Sequence, residues 1–381
     1  MARIGFVADV HIGNHKKHGG EMVSGVNERC RLTLKALADA CRLASQKGCE
    51  RLYVAGDLFD NTRPSPQLIR AVQEIFQGEC PPVTLLMGNH DQVSMNDGDN
   101  ALGPMQPVCQ VVESPCITMS DDAKLEIWLV PFQPGDARKW LPSVLSGLEG
   151  GDSGGHSSSQ PPPSDEPAAR VLAFHLGISD TSTPAFLQKA HDAIGVDQLK
   201  ELCEKHNISY VFSGNWHDRK TWAGPNGPIF QTGALVPTGW DNPGLEPYGT
   251  LGIIDSEEGL SYEIITGPRF VKAKQSDKVQ EIVDAANEAG HKLYLQIVVD
   301  PTMVREYSQE SREMVQAGSL NAVQVVPDHK VAKENAKKSA GAARSVDTLE
   351  EAINEYVKTL TIPEGLSAED VIGKAKELLS T

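Results

Sequence analysis

The chain has 381 residues, 40% apolar and 23% charged, with seven cysteines and a formal net charge of −16. These proportions allow a buried core and more than one domain and argue against wholesale disorder; the scattered Cys30, Cys41, Cys49, Cys80, Cys109, Cys116 and Cys203 form no Cys-x-x-Cys pair, which argues against a disulfide framework and fits reduced thiols in a cytoplasm. No stretch approaches the ~20 apolar residues of a membrane span or forms a signal-sequence core, and the acidity argues against a sequence-independent coat on nucleic acid while leaving room for a local, cation-assisted phosphate site.

Strands are expected at Arg3–Ala8, Arg51–Ala55 and Val83–Met87, with helices over about Asn27–Lys47 and Pro66–Gln77 between them, an α/β layering. Apolar runs at Leu125–Val130, Val171–Phe174, Tyr210–Phe212, Ile229–Thr232 and Thr250–Ile254 supply enough strands for two packed sheets. Few helices are apparent between these later runs, so part of the sheet is expected to be antiparallel. Gly147–Ala169, rich in Gly, Ser and Pro, reads as a mobile insertion within the domain. After Pro268 a helix-rich segment around strands at Leu293–Val299 and Ala322–Val326 reads as a small second domain. Lys330–Arg344 then reads as a solvated linker, followed by helical patterns at Thr348–Leu360 and Ser367–Leu379, separated by Pro363-Glu364-Gly365.

Five short segments place Asp, Asn and His at the ends of expected strands: Asp9-Val-His11, Gly56-Asp57-Leu-Phe-Asp60, Gly88-Asn89-His90-Asp91, His175 in Phe-His-Leu-Gly, and Gly214-Asn215-Trp216-His217. Residues i and i+2 of an extended segment point the same way, so Asp9 and His11 are expected to reach one ion together. Asp57, at the end of the next strand, is the candidate bridge between two cations. Gly56, Gly88 and Gly214 let the backbone turn where a Cβ would obstruct it. Mixed His, carboxylate and amide donors suit Mn, Fe or Zn better than Ca or Mg.

The ordered series D-x-H, G-D-x-x-D, G-N-H-D, H and a final G-x-x-H resembles the calcineurin-like metallophosphoesterases. That resemblance implies a two-sheet sandwich flanked by helices and two divalent ions. The first would be held by Asp9, His11, Asp57 and His217, the second by Asp57, Asn89 and His175. It also implies in-line attack on phosphorus by hydroxide activated by the two metals, without a covalent enzyme intermediate. Where most relatives have His as the second residue of the last motif, this chain has Asn215, whose amide oxygen is a weaker donor, so weaker binding of the second metal is expected. His90, following Asn89, is expected to face the substrate and stabilise the transition state or protonate the leaving oxygen. Asp60 or Asp91 would orient its ring. Arg219 and Lys220 either hold a phosphate or face water. His15 and His18 lie in a loop that either touches a nucleic-acid backbone or is simply solvated. Trp216, Trp222 and Trp240 either stack a base or pack in the core.

The Asp-Val-His-Ile-Gly start, Gly-Asp-Leu-Phe-Asp, Phe-His-Leu-Gly and the Gln231-Thr-Gly-Ala-Leu passage look like the SbcD-type DNA repair nucleases over roughly the first 265 residues. By that resemblance, residues 1–267 form the nuclease domain with the insertion at 147–169, and 268–330 form a small α+β cap that presents DNA. Residues 331–381 form a linker and a helical segment, with Leu349, Ile353, Val357 and Leu360 at helical spacing, that docks on a coiled-coil SMC-like ATPase or packs on its own domain. The implied activity is manganese-dependent 3′–5′ exonuclease and single-strand endonuclease cleavage, in a nuclease homodimer. No Walker motif is present in the sequence, so ATP handling would come from another chain. The rival expectations are a phosphodiesterase or phosphatase for small esters using the same site, and a non-catalytic scaffold.

Overall fold

Side chains of the central strands alternate between two different cores, which stacks the sheets back to back under outer helices. The computed structural model describes residues 2–16, 18–94, 99–150, 167–240, 249–275, 277–316, 320–328, 357 and 367–379. In chain order the first elements are β1 (Arg3–Val7), β2 (Met22–Val23), β3 (Val26–Asn27), α1 (Glu28–Gln46), β4 (Arg51–Ala55), α2 (Pro66–Gln77), β5 (Val83–Leu86), β6 (Gln110–Val112), β7 (Cys116–Met119), β8 (Leu125–Val130) and α3 (Ala137–Glu149). There follow β9 (Ala169–His175), β10 (Gly177–Ser179), β11 (Ala193–Gly195), α4 (Val196–Lys205), β12 (Tyr210–Gly214), β13 (Lys220–Ala223), β14 (Pro228–Gln231), β15 (Thr250–Asp255) and β16 (Gly259–Ile264). The last are β17 (Pro268–Lys274), α5 (Val279–Glu288), β18 (Lys292–Val299), α6 (Val304–Gln316), β19 (Ala322–Pro327) and α7 (Ala368–Leu379).

Two six-stranded sheets run in the orders β16-β15-β1-β4-β5-β6 and β13-β14-β12-β9-β8-β7. Ile4, Phe6 and Tyr53 of the first sheet meet Ile127, Ala173 and Phe212 of the second in a shared inner core. The next residues along the same strands, Val7 and Val54, join the outer core under α1 and α2, while Trp128, Leu172 and Phe174 join the one under α3 and α4. Phe6 and Phe212 stack across the interface with ring centroids 4.0 Å apart, so β1 and β12 are clamped together just before each delivers its polar residues.

α1 starts where expected because the Asn27 side chain accepts from the Cys30 amide at 2.8 Å, and α2 because Ser65 caps it ahead of Pro66. One expectation needs correction. Helix α3 extends through Glu149 and β9 begins at Ala169, so both ends of the 147–169 insertion are regular structure; residues 151–166 lie outside those described. Part of the pairing among the later strands is antiparallel, as expected, but the middle of the second sheet is not: β8 pairs β9, β9 pairs β12 and β12 pairs β14, all parallel, with α3 and α4 in the crossovers from β8 to β9 and from β9 to β12. Antiparallel pairing falls at β1–β15, β15–β16, β7–β8 and β13–β14.

The chain divides into two compact units, Met1–Ile297 with Ser308–Gln324, and Val298–Tyr307 with Val325–Thr381. The first holds both large sheets. Strands β17, β18 and β19 form a separate three-stranded sheet in that order. The second unit contains a 3-10 turn at Pro301–Met303 and helix α7, over the expected Ser367–Leu379. Of the expected helix Thr348–Leu360 only Val357 is among the described residues, where it is helical and buried; Leu349, Ile353, Leu360 and the linker Lys330–Arg344 lie outside them. No helix among the described residues is long and apolar enough to cross a membrane.

Candidate metal centre

Parallel pairing puts the C-terminal ends of β1, β4 and β5 side by side in one sheet and those of β9 and β12 side by side in the other. The segments that leave these five ends carry Asp9 and His11, Asp57, Asn89 and His90, His175, and Asn215 and His217, so residues more than two hundred positions apart meet at one edge of the sandwich. Three overlapping groups result, each with its donor atoms within 4.8 Å of one another: Asp9, His11 and His217; His11, Asp57 and His90; and Asp9, Asp57 and His175.

Asp9 and His11 do converge, but not by strand alternation. Both have left-handed backbones, φ +49° at each, as do Asp57 (+52°) and Asn215 (+85°). Such conformations cost about 1–3 kcal/mol each for residues with a Cβ. The surrounding hydrogen bonds enforce them: Asp9 N donates to Gly56 O at 3.2 Å, His11 N to Asp57 O at 3.0 Å, and Asn215 N to both Asp9 carboxylate oxygens at 3.0 Å. Glycine is required beneath the ligands. A Cβ at Gly56 would lie 2.0 Å from His175 Nδ1, and one at Gly88 would lie 2.1 Å from Asp57 Oδ1. The obstruction is therefore to the ligands themselves.

Two of the candidate ligands, His175 and His217, are aimed by a partner on the far ring nitrogen. His175 Nδ1 lies 2.7 Å from the Ala55 main-chain oxygen, which can only accept, so Nδ1 carries a proton and Nε2 faces the cluster, 2.9 Å from Asn89 Oδ1 and 3.4 Å from Asp57 Oδ2. His217 Nδ1 lies 3.1 Å from Thr238 Oγ1. Its Nε2 comes within 3.0 Å of His11 Nε2, which is also 3.7 Å from Asp57 Oδ2. Asp60 Oδ1 is 3.8 Å from His11 Nδ1, an atom that is buried and without a hydrogen bond, and Asp60 Oδ2 is 3.6 Å from His15 Nδ1.

Burial sets the protonation states. It lowers His11 to about 3 and lowers His217 as well, leaving neutral imidazoles suited to coordination. Burial raises Asp9 to about 7 against the pull of His175. For the central pair burial opposes charge, yet mutual attraction prevails: Asp57 is held below the usual carboxylate range and His175 is raised to about 10. Two imidazole Nε2 atoms facing each other across 3.0 Å in a buried, carboxylate-lined site form a donor set that fits divalent cations: Asp9, His11, Asp57 and His217 would hold one, and Asp57, Asn89 and His175 the other.

The other expected site residues fall as follows. His90 is exposed; its amide is fixed on Asp57 Oδ1 at 2.9 Å and its Nδ1 lies 3.1 Å from the Asp60 main-chain oxygen. Asp60 thus meets this ring through its backbone, with its carboxylate turned to His11 and His15. The fully buried Asp91 is committed to main-chain amides, accepting from Asp57 and Gly88 at 3.0 Å and from Phe59 at 3.4 Å, and burial raises it to about 7. Asn215 donates its side-chain amide to Asp192 Oδ2 at 3.0 Å and to Asp192 O at 3.2 Å, a tether that no sequence motif marks. Arg219 packs over the Tyr262 ring at 4.8 Å and Lys220 pairs with Asp218 at 3.3 Å. Trp222 donates to Asp180 at 2.9 Å, Trp216 lies against Gly177, and Trp240 packs edge-on against Phe270.

The protein has measurable likeness to solved phosphoesterases. It is similar to a dimetal phosphatase from Danio rerio (12% identity over 70% of this chain and 99% of that one, TM-score 0.43) and to an archaeal phosphodiesterase (13%, 69% and 99%, TM-score 0.34). It is also similar to GAP50, described as the anchor in the inner membrane complex of Plasmodium (10%, 69% and 84%, TM-score 0.41). The calcineurin-like phosphoesterase family model matches residues 2–219, the stretch that supplies all five ligand-bearing segments. Matched over more than half its length, and with the candidate ligands of that pattern brought to one edge of a two-sheet sandwich, the chain belongs to the calcineurin-like phosphoesterase family.

Proposed function

We propose that this phosphoesterase is a manganese-dependent DNA nuclease, cleaving as a 3′–5′ exonuclease and single-strand endonuclease, and the catalytic partner of a coiled-coil SMC-like ATPase in DNA repair or recombination. The observation that carries the catalytic part is His90. A main-chain oxygen can only accept, so the ring holds its proton on Nδ1 against Asp60 O and leaves Nε2 as its second nitrogen, on an exposed residue grouped with His11 and Asp57. Cationic, that nitrogen would stabilise charge on the phosphate and give a proton to the leaving oxygen. Asp91 acts one step back, holding the amides of Asp57 and Gly88 so that the turns carrying Asp57 and His90 keep their geometry. When bound, the two cations would neutralise phosphate charge and lower the pKa of the attacking water.

A polymeric substrate is supported by the SbcD-like segments and by more than a hundred residues that continue past the phosphoesterase match, including the sheet β17-β18-β19 in the region read as a cap. Residues 331–381 would then serve the ATPase, and a nuclease homodimer in the cytoplasm would complete the assembly. Against this, Arg219 packs over the Tyr262 ring and Lys220 pairs with Asp218. That favours the second reading, hydrolysis of a small phosphodiester or phosphomonoester, which needs no track for a polynucleotide backbone.

End-labelled single- and double-stranded DNA, incubated with the intact protein or His90→Ala in Mn²⁺, Mg²⁺ or EDTA, separates these. Metal-dependent degradation lost in the variant supports the nuclease. Intact DNA beside brisk turnover of bis(p-nitrophenyl) phosphate moves the assignment to the small-ester enzyme.

A further inference from the structure

Two contacts of the metal centre meet at Thr238, a residue that no motif marks. Its hydroxyl lies 3.1 Å from His217 Nδ1, and its main-chain oxygen accepts from Arg29 Nη2. Arg29, in the first turn of α1, is 5% exposed, and its guanidinium carbon sits 4.6 Å from the centroid of the Phe270 ring. Phe270 is itself boxed in, stacked on Tyr294 at 4.7 Å and met edge-on by Trp240 at 4.9 Å. The Arg29 amide is anchored too, donating to Gly19 O at 3.0 Å.

His217 turns Nε2 to the cluster, so coordination requires the lone pair on Nε2 and the proton on Nδ1. Whatever accepts from Nδ1 therefore selects the tautomer and fixes the ring angle. Here the acceptor is a hydroxyl on a segment outside any strand or helix, and a hydroxyl can rotate or drift unless its backbone is held. Arg29 holds it. A buried guanidinium is costly unless its donors are used and its face is covered; the Thr238 carbonyl and the Phe270 ring do both, which fixes the plane from which Arg29 reaches Thr238.

We propose that Arg29 is a positioning residue for His217, acting through Thr238, with Phe270 as the platform that sets its guanidinium plane. This rests on the cluster being a metal centre. It links β17, the strand that carries Phe270, to a ligand of the first cation: a displacement of Phe270 reaches His217 through three contacts.

The test compares the full chain with Thr238→Val, Thr238→Ser, Arg29→Lys and Phe270→Leu, each checked for folding by circular dichroism. Three readouts apply: Mn²⁺ affinity by calorimetry, the visible spectrum of the Co²⁺-loaded protein, and the imidazole ¹⁵N shifts of His217 without metal, which distinguish the two tautomers. Thr238→Val and Arg29→Lys are expected to weaken Mn²⁺ binding by about tenfold to a hundredfold, to shift the Co²⁺ bands and to populate the Nε2–H tautomer. Thr238→Ser, which keeps the hydroxyl, should retain all three properties, with Phe270→Leu in between. Folded Thr238→Val and Arg29→Lys that bind Mn²⁺ as the unaltered chain does, with the same spectrum and tautomer, overturn the proposal alone; an unaltered chain that binds no Mn²⁺ overturns the metal centre and the proposal with it. Should Arg29→Lys not fold, the Thr238 pair decides.

Discussion

His175 and His217, one in each of the two candidate ligand groups that share Asp9, are held by different kinds of partner. His175 ends β9, is completely buried, and donates to a main-chain oxygen at the end of β4. His217 lies in the turn after β12, is half-buried, and depends on a threonine hydroxyl. A strand carbonyl is fixed by the pairing of its sheet and cannot be changed by substituting a side chain. A hydroxyl is lost in one substitution without disturbing any strand. One half of the centre is therefore as rigid as the sandwich, and the other is open to adjustment.

The comparison breaks most completely at Asp57, which faces both halves: Asp57→Asn is expected to take turnover to background and to remove both cations by elemental analysis. Next is His90→Ala, which should lower kcat by about 10²–10⁴-fold while metal content stays that of the unaltered protein, because the two proposed ligand sets are complete without this exposed ring. Lost metal in that variant would make His90 a ligand instead.

Gly56→Ala probes the rigid half alone. Its Cβ would push His175 off Ala55, and the left-handed φ of +88° adds about 1–2 kcal/mol of strain. Urea unfolding should show a destabilisation at least that large, with cation loss confined to the His175 side.

pH sharpens the contrast further. Without metal, His175 is raised from 6.5 to about 10, so its contribution to stability is complete below pH 6.5 and lost as pH rises through 10. Asp57 is depressed from 3.8, so its contribution is present above pH 3.8 and lost as pH falls below it. The metal-free pair is thus most stabilising between about pH 4 and 6.5. Because Nε2 of His175 carries either a proton or a cation, affinity on that side should rise by up to about tenfold per pH unit between pH 7 and 9. Thermal shifts on adding Mn²⁺ at pH 6, 7.5 and 9 check this, and a shift independent of pH would contradict it. The smallest effect is expected from Asp192→Ala, which removes one of the two bonds that tether the Asn215 side chain and leaves the one to the main-chain oxygen, and should weaken the second cation by at most about tenfold in a calorimetric titration.

Much of this was readable in advance, for identifiable reasons. Helices α1 and α2 announce themselves through Asn27 and Ser65-Pro66 caps, and the donors stand at strand ends in an order that survives without knowing the fold. α3 escaped notice because Pro142 and Gly147 interrupt its pattern, and α4 because it is short and begins at Gly195, which offers no side-chain cap. With those two helices unread, the expectation of a partly antiparallel sheet held, but it could not say that β8, β9, β12 and β14 run parallel.

What the sequence determined by itself is the inventory: which residues can coordinate, which glycines make room, and which strand ends carry them, since all of these are local properties of short segments. Only the tertiary structure decided which nitrogen of each histidine faces inward, that Asp91 serves backbone amides, that Asp9 and His11 converge through left-handed backbones, and that Asp192, Thr238 and Arg29 stand behind the ligands. Those assignments depend on contacts between residues far apart in the chain, and such contacts are set by strand register and sheet packing, which no local pattern encodes.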